Sequence, residues 1–164
     1  ANVRHHAREY TQCWRHIMPG QLEAQSRTKW AVLVVEENDH ERLLYEWELR
    51  DAGYSVVSVP SPCAAMKHLN PDYPDIAVVD PGRCSVGEMD RIGQLLARAP
   101  GTPVVIYTGY EAGVLGEKLR ARSPMRRVTS CLTKTSDLSR LMDEIRRVLT
   151  DAIDDSRGVT CRGS

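Results

Sequence analysis

Glu36 with Glu37, Asp80, Thr108 and Lys134 each stand at the end of a short apolar run of this 164-residue chain. The runs are Ala31-Val32-Leu33-Val34-Val35, Ile76-Ala77-Val78-Val79, Val104-Val105-Ile106-Tyr107 and Cys131-Leu132-Thr133. Acids, a hydroxyl and an ammonium gathered in one crevice suit a hard divalent cation and the charged oxygens of a phosphoryl group. A carboxylate becomes a competent nucleophile toward phosphorus once positive charge offsets that of the incoming group. Clustered carboxylates repel one another, and a cation together with Lys134 would relieve that repulsion.

Such chemistry needs elements that bring the run ends together. The first run is too continuously apolar for a half-exposed strand and reads as a buried one over 31–36. A helix is predicted from Asn38 to Ala52, capped by Asn38 or Asp39, with Leu43, Leu44 and Trp47 facing inward and Gly53 ending it. A second strand follows over 54–59, then a short helix to about Leu69 and the turn cluster Asn70-Pro71-Asp72-Tyr73-Pro74. Further strands are predicted over 75–80, 103–108 and 127–132, alternating with helices over 86–99 and 111–122. The last helix, from Asp137, has the clearest stripe: Leu138, Leu141, Met142, Ile145, Val148 and Leu149. Alternating units of this length imply a doubly wound α/β fold with a five-stranded parallel sheet, because parallel strands require right-handed crossovers. The expected order is the flavodoxin-like 2-1-3-4-5, which makes strands 1 and 3 neighbours at the switch point where such sheets bind ligands.

The remaining stretches bound the function. Residues 1–28 read as a helical extension and linker, with Val3, Tyr10, Trp14, Ile17 and Met18 on one side and Pro19-Gly20 as the stop; the domain proper is 29–153, and 154–164, without periodicity, reads as a disordered tail. Lysine and arginine total 22 against 22 acidic residues, so no global field draws nucleic acid or an anionic membrane. No apolar stretch approaches the roughly 18 residues of a spanning helix, and a cytoplasmic location is expected. Five cysteines without a CxxC pair argue for reduced thiols rather than a disulfide framework. His5, His6, Cys13 and His16 match no zinc pattern, and Arg120, Arg122, Arg126 and Arg127 read as a solvated basic face.

Taken in order, Val34-Val35-Glu36-Glu37-Asn38-Asp39, Asp75-Ile76-Ala77-Val78-Val79-Asp80, Val104-Val105-Ile106-Tyr107-Thr108-Gly109 and Leu132-Thr133-Lys134 resemble the receiver domain of two-component response regulators, over roughly Trp30 to Ala152. The resemblance implies that Asp80 accepts a phosphoryl group from the phosphohistidine of a sensor histidine kinase or phosphotransfer protein. It implies Mg2+ held by Glu36, Glu37, Asp80 and the carbonyl of Gly82, with Thr108 and Lys134 bonding phosphoryl oxygens. Such a chain is not an enzyme in the ordinary sense but a phosphoacceptor, and its output is a changed contact with a downstream protein. A homodimer through the fourth- and fifth-helix faces is a further expectation, and the chain is expected to be a stand-alone receiver or a piece of a larger regulator or hybrid kinase.

Several positions depart from that pattern. Thr135 replaces the proline that usually follows the lysine by a cis bond, which leaves two alternatives: a trans bond with a rearranged loop, or a cis bond at about 2.5–4 kcal/mol. Cys131 replaces the strand-five aromatic, Glu37 the usual aspartate, and Pro81-Gly82-Arg83-Cys84 the usual apolar segment, with Arg83 able to approach the site in place of a metal. These departures favour an alternative, a degenerate receiver that acts only as an interaction module. A small phosphohydrolase would want a second acid just after Asp80, and Pro81-Gly82-Arg83 offers none. A nucleotide or flavin binder would want a Gly-, Ser- or Thr-rich loop in place of Glu36-Glu37-Asn38-Asp39.

Overall fold

Val, Ile, Leu and Ala runs bounded by Gly, Pro and Asn form the strands β1 (Ala31–Val35), β2 (Ser55–Val59), β3 (Ile76–Val79), β4 (Val104–Thr108) and β5 (Val128–Thr133). They pair in parallel throughout, in the order β2-β1-β3-β4-β5. This is the expected doubly wound sheet. The computed structural model describes residues 29–70, 73–82, 85–120, 128–135 and 137–158. The extension 1–28, Arg83, Cys84, Arg122, Arg126, Arg127 and residues 159–164 lie outside them.

The crossovers are α1 (Asp39–Asp51), α2 (Pro62–Ala65, continued by a 3-10 turn at Met66–His68), α3 (Val86–Arg98) and α4 (Ala112–Arg120), and α5 (Ser139–Gly158) closes the fold. Residue parity along each strand decides which layer a side chain joins. Leu33, Val35, Ala77, Val79 and Ile106 pack with Ile92, Leu95 and Leu119 of α3 and α4. Val32, Val34, Val78, Val105 and Tyr107 pack with Leu49 of α1 and Leu141 and Ile145 of α5. Ile92, Leu95 and Leu96 are fully buried, each stabilising the fold by about 1.5–3 kcal/mol relative to an exposed position.

Local signals set the element ends. The Asn38 side chain accepts from His40 and Glu41 N–H at the start of α1. Ser85 and Glu88 form a reciprocal capping box on α3. Gly53, at φ +95°, turns the chain from α1 into β2.

Two expectations need correction. Leu43, Leu44 and Trp47 face outward, with Leu43 62% and Trp47 48% exposed, while Tyr45 and Leu49 are the buried pair of α1. Packing of Tyr45 and Leu49 in the core, with Arg42 on the Glu36 carbonyl and Glu41 on Lys134, sets the inward face of α1 and leaves the apolar triad on the far side. The last helix runs to Gly158, into the stretch that lacked a stripe. Periodicity reports burial, whereas an established helix adds one hydrogen bond per residue without it.

Candidate functional site

The β1–β3 pairing sets Val35 beside Val79, so Glu36 and Asp80 leave the sheet side by side. Asp80 N–H donates to the Val35 carbonyl at 2.9 Å and Glu36 N–H to the Val59 carbonyl at 3.0 Å, extending both ladders to the site. On the other side, Thr108 pairs with Thr133, and Lys134 N–H donates to the Thr108 carbonyl at 2.6 Å. A register shift between Val104 and Val105 gives β5 an additional residue before that pairing.

From there the Lys134 ammonium reaches back across the sheet edge. Its Nζ lies 2.6 Å from Asp80 Oδ2, 2.6 Å from Glu36 Oε2 and 2.5 Å from Glu41 Oε2. The side chains are 16% exposed for Lys134, 15% for Asp80 and 3% for Glu36. Glu36 Oε1 also accepts the Asn38 N–H at 2.9 Å, and Asp80 Oδ1 accepts the Gly82 N–H at 3.0 Å.

Burial works to lower the Lys134 pKa, but its hydrogen bonds to Asp80, Glu36 and Glu41 overcome it and hold the ammonium well above the ordinary lysine value. Burial raises the Glu36 carboxyl despite Lys134 and the Asn38 N–H. At Glu41 burial acts upward too, yet the bonds from Lys134 and the Tyr45 hydroxyl bring the carboxyl below its usual range.

Gly82 sits at φ +58°, a left-handed conformation that glycine adopts freely. A Cβ there would lie 3.1 Å from Glu88 Oε1 and 3.8 Å from Glu37 Oε2. Glu37 is exposed at the mouth of the site. Thr108 is fully buried, and its hydroxyl accepts the Tyr110 N–H at 3.2 Å. Among the described residues the structure thus joins Glu36, Asp80 and Lys134 directly, with Glu37 and Gly82 adjoining and Thr108 tied to Lys134 through the main chain.

The Lys134–Thr135 bond takes the trans alternative: Tyr73–Pro74 is the cis peptide among the described residues. The Thr135 hydroxyl donates to the Asp137 carbonyl at 2.7 Å, and its N–H points to the Tyr107 hydroxyl at 3.4 Å. These contacts hold the loop where proline would stand. Cys131 is partly buried against the α3–α4 core, as a small core residue.

Sequence reasoning missed Glu41, Arg42 and Tyr45. Arg42 donates to the main-chain carbonyls of Glu36 at 2.8 Å and Glu37 at 3.3 Å, fixing the loop that bears both acids. The Tyr45 hydroxyl donates to Glu41 Oε2 at 2.9 Å, and its ring packs edge-on against Tyr107 at 5.6 Å. No local signal marked them, because a cap sets where a helix starts and packing on the sheet decides which face turns inward.

Oxygen donors from Glu36, Glu37, Asp80 and the Gly82 carbonyl suit Mg2+ by type. As arranged, Glu36 and Asp80 close around the ammonium, and among the described residues no three acidic, His or Cys side chains form a ready metal cage. The donor set therefore fits the ion once Lys134 yields an oxygen of Glu36 and of Asp80.

No family model and no curated protein matches this chain. Solved structures do. The signal receiver domain assigned to a Luxo repressor protein from Vibrio parahaemolyticus is similar at 19% identity, with a TM-score of 0.65 over 83% of this chain and 99% of that one. The chemotaxis response regulator CheY4 of Vibrio cholerae gives 20%, 0.61, and 74% and 99%. The response regulator TrrA of Thermotoga maritima, in complex with Mg2+-BeF, gives 16%, 0.59, and 73% and 98%. The chain has the fold of response-regulator receiver domains. Among the described residues no helix is long and apolar enough to cross a membrane.

Proposed function

We propose that this chain is a phosphoacceptor receiver in a two-component system, with Asp80 as the acceptor. The carrying observation is the Lys134 ammonium, 2.6 Å from a partly buried Asp80 carboxylate at the sheet edge beside Glu36. TrrA, of the same fold, has a structure in complex with the histidine kinase ThkA, which supports a kinase or phosphotransfer protein as the donor here.

In the proposed step an Asp80 carboxylate oxygen attacks the phosphorus of a phosphohistidine. The P–N bond breaks, the imidazole leaves and takes up a proton, and an acyl phosphate remains on Asp80. Lys134 moves an N–H from Asp80 to a phosphoryl oxygen, and the Thr108 hydroxyl turns from Tyr110 toward another. Mg2+ would be held by Glu36, Glu37, Asp80 and the Gly82 carbonyl, and when bound would offset the phosphoryl charge. The chain acts as an acceptor rather than an enzyme with turnover, and its output is a changed protein contact.

One observation favours a second reading, an interaction module that takes no phosphoryl group: Lys134 already pairs with Glu36 and Asp80, and among the described residues no metal cage is formed. Intact-protein mass after incubation with Mg2+ and acetyl phosphate separates the two. A gain of one phosphoryl group, absent in Asp80→Asn and in chelator, is expected. No gain at any Mg2+ concentration refutes the phosphoacceptor reading and leaves the interaction module.

A further inference from the structure

The Lys134 ammonium has three N–H donors, and three carboxylates take them: Glu36, Asp80 and Glu41. A phosphoryl oxygen on Asp80 can gain the ammonium only by displacing one of these. Formation of the acyl phosphate removes the charge of the Asp80 carboxylate, and a bound cation would claim Glu36. Glu41 loses nothing in either event. It stands on α1, one turn from the acidic pair, and the oxygen that meets Lys134 is also the one held by the Tyr45 hydroxyl at 2.9 Å. Tyr45 is itself buried and braced edge-on by Tyr107.

We propose that Glu41 is a positioning residue that retains Lys134 on the α1 side and competes with the phosphoryl group for its ammonium, weakening the hold of the site on that group. The inference rests on the phosphoacceptor reading of Asp80 and adds a residue of the first helix. Its charge acts in two ways: it holds the ammonium, and it repels the dianionic group placed beside it.

The test is equilibrium binding of beryllofluoride at saturating Mg2+, followed by the amide NMR shifts of Gly82 and Thr135. Glu41→Gln keeps the length of the side chain and an acceptor for Tyr45 but removes the charge. Binding is expected to tighten by about tenfold, the scale of one unit charge removed at short range in a half-solvated site. Tyr45→Phe, which unfastens Glu41 without discharging it, is expected to tighten binding by less. A merely structural role for Glu41 would weaken binding in both variants, and weaker or unchanged binding in Glu41→Gln overturns the inference alone. A wild-type chain that binds no beryllofluoride overturns the phosphoacceptor reading and the inference with it. In the metal-free protein, the side-chain ammonium signal of Lys134 is expected to be visible and to broaden away in Glu41→Gln; a signal unaffected by the substitution also overturns the inference.

Discussion

Replacing Lys134 with methionine keeps the stem of the side chain and removes the cation that, among the described residues, Glu36, Glu41 and Asp80 share. Breaking a fully buried ion pair from one side costs about 3–5 kcal/mol, because the partner charge is left without compensation. Here the penalty falls mainly on Glu36, whose side chain is 3% exposed, while Asp80 and Glu41 keep water on one side. A loss of about 2–4 kcal/mol at pH 7 is therefore expected. The pH dependence carries the sharper test. Burial already raises the Glu36 carboxyl above its ordinary value, and losing Lys134 removes the interaction that opposes that rise. A carboxyl whose folded pKa exceeds its unfolded one contributes stability fully present below the unfolded pKa and lost as pH rises through the folded pKa. Lys134→Met should therefore be least stable relative to wild type near neutrality, and the difference should narrow as pH falls toward the ordinary carboxylate range. Urea unfolding followed by circular dichroism at several pH values measures both. A deficit below about 1 kcal/mol at pH 7, or one that does not narrow with acid, would refute the reasoning.

Gly82→Ala forces a side chain into the left-handed region and against Glu88, and should destabilise by about 1–2 kcal/mol in the same unfolding assay; an unchanged midpoint would mean that the loop relaxes freely. The phase of α1 predicts a contrast within one helix: Leu49→Ala should cost about 2–5 kcal/mol, whereas Leu43→Gln should stay within about 0.5 kcal/mol. Equal effects from the two would place the buried face of α1 elsewhere.

The strands and their order were legible in the sequence because buried parallel strands must be nearly continuous apolar runs, and because short β-α units admit few topologies. The same logic put Glu36, Glu37, Asp80, Thr108 and Lys134 at one edge, since residues that follow parallel strands leave the sheet on the same side. At Thr135 two alternatives stood open, a trans bond or a strained cis one, and the structure decided for trans, with the Tyr107 and Asp137 contacts holding the loop. Helix orientation was the weak point. Leu43, Leu44 and Trp47 look like a buried stripe when hydrophobicity alone is counted, but the inward face of α1 carries Glu41, Arg42 and Tyr45 with Leu49. Arg42 and Tyr45 find partners nearby, at Asp39, the Glu36 and Glu37 carbonyls and Glu41, but Glu41 itself meets its cation only at Lys134, distant in sequence.

By itself, then, the sequence determined the layered α/β architecture, the strand order and the set of side chains gathered at the carboxyl edge, because those follow from local apolar periodicity and the handedness of crossovers. Only the tertiary structure decided how the edge is wired: that Lys134 spans nearly a hundred residues of chain to bind three carboxylates at once, that Glu41 is the third, and that Tyr45 faces in while Trp47 faces out. Those outcomes depend on helix phase and long-range ion pairing, which arise from the packing of α1 over the sheet edge and leave no period in the sequence.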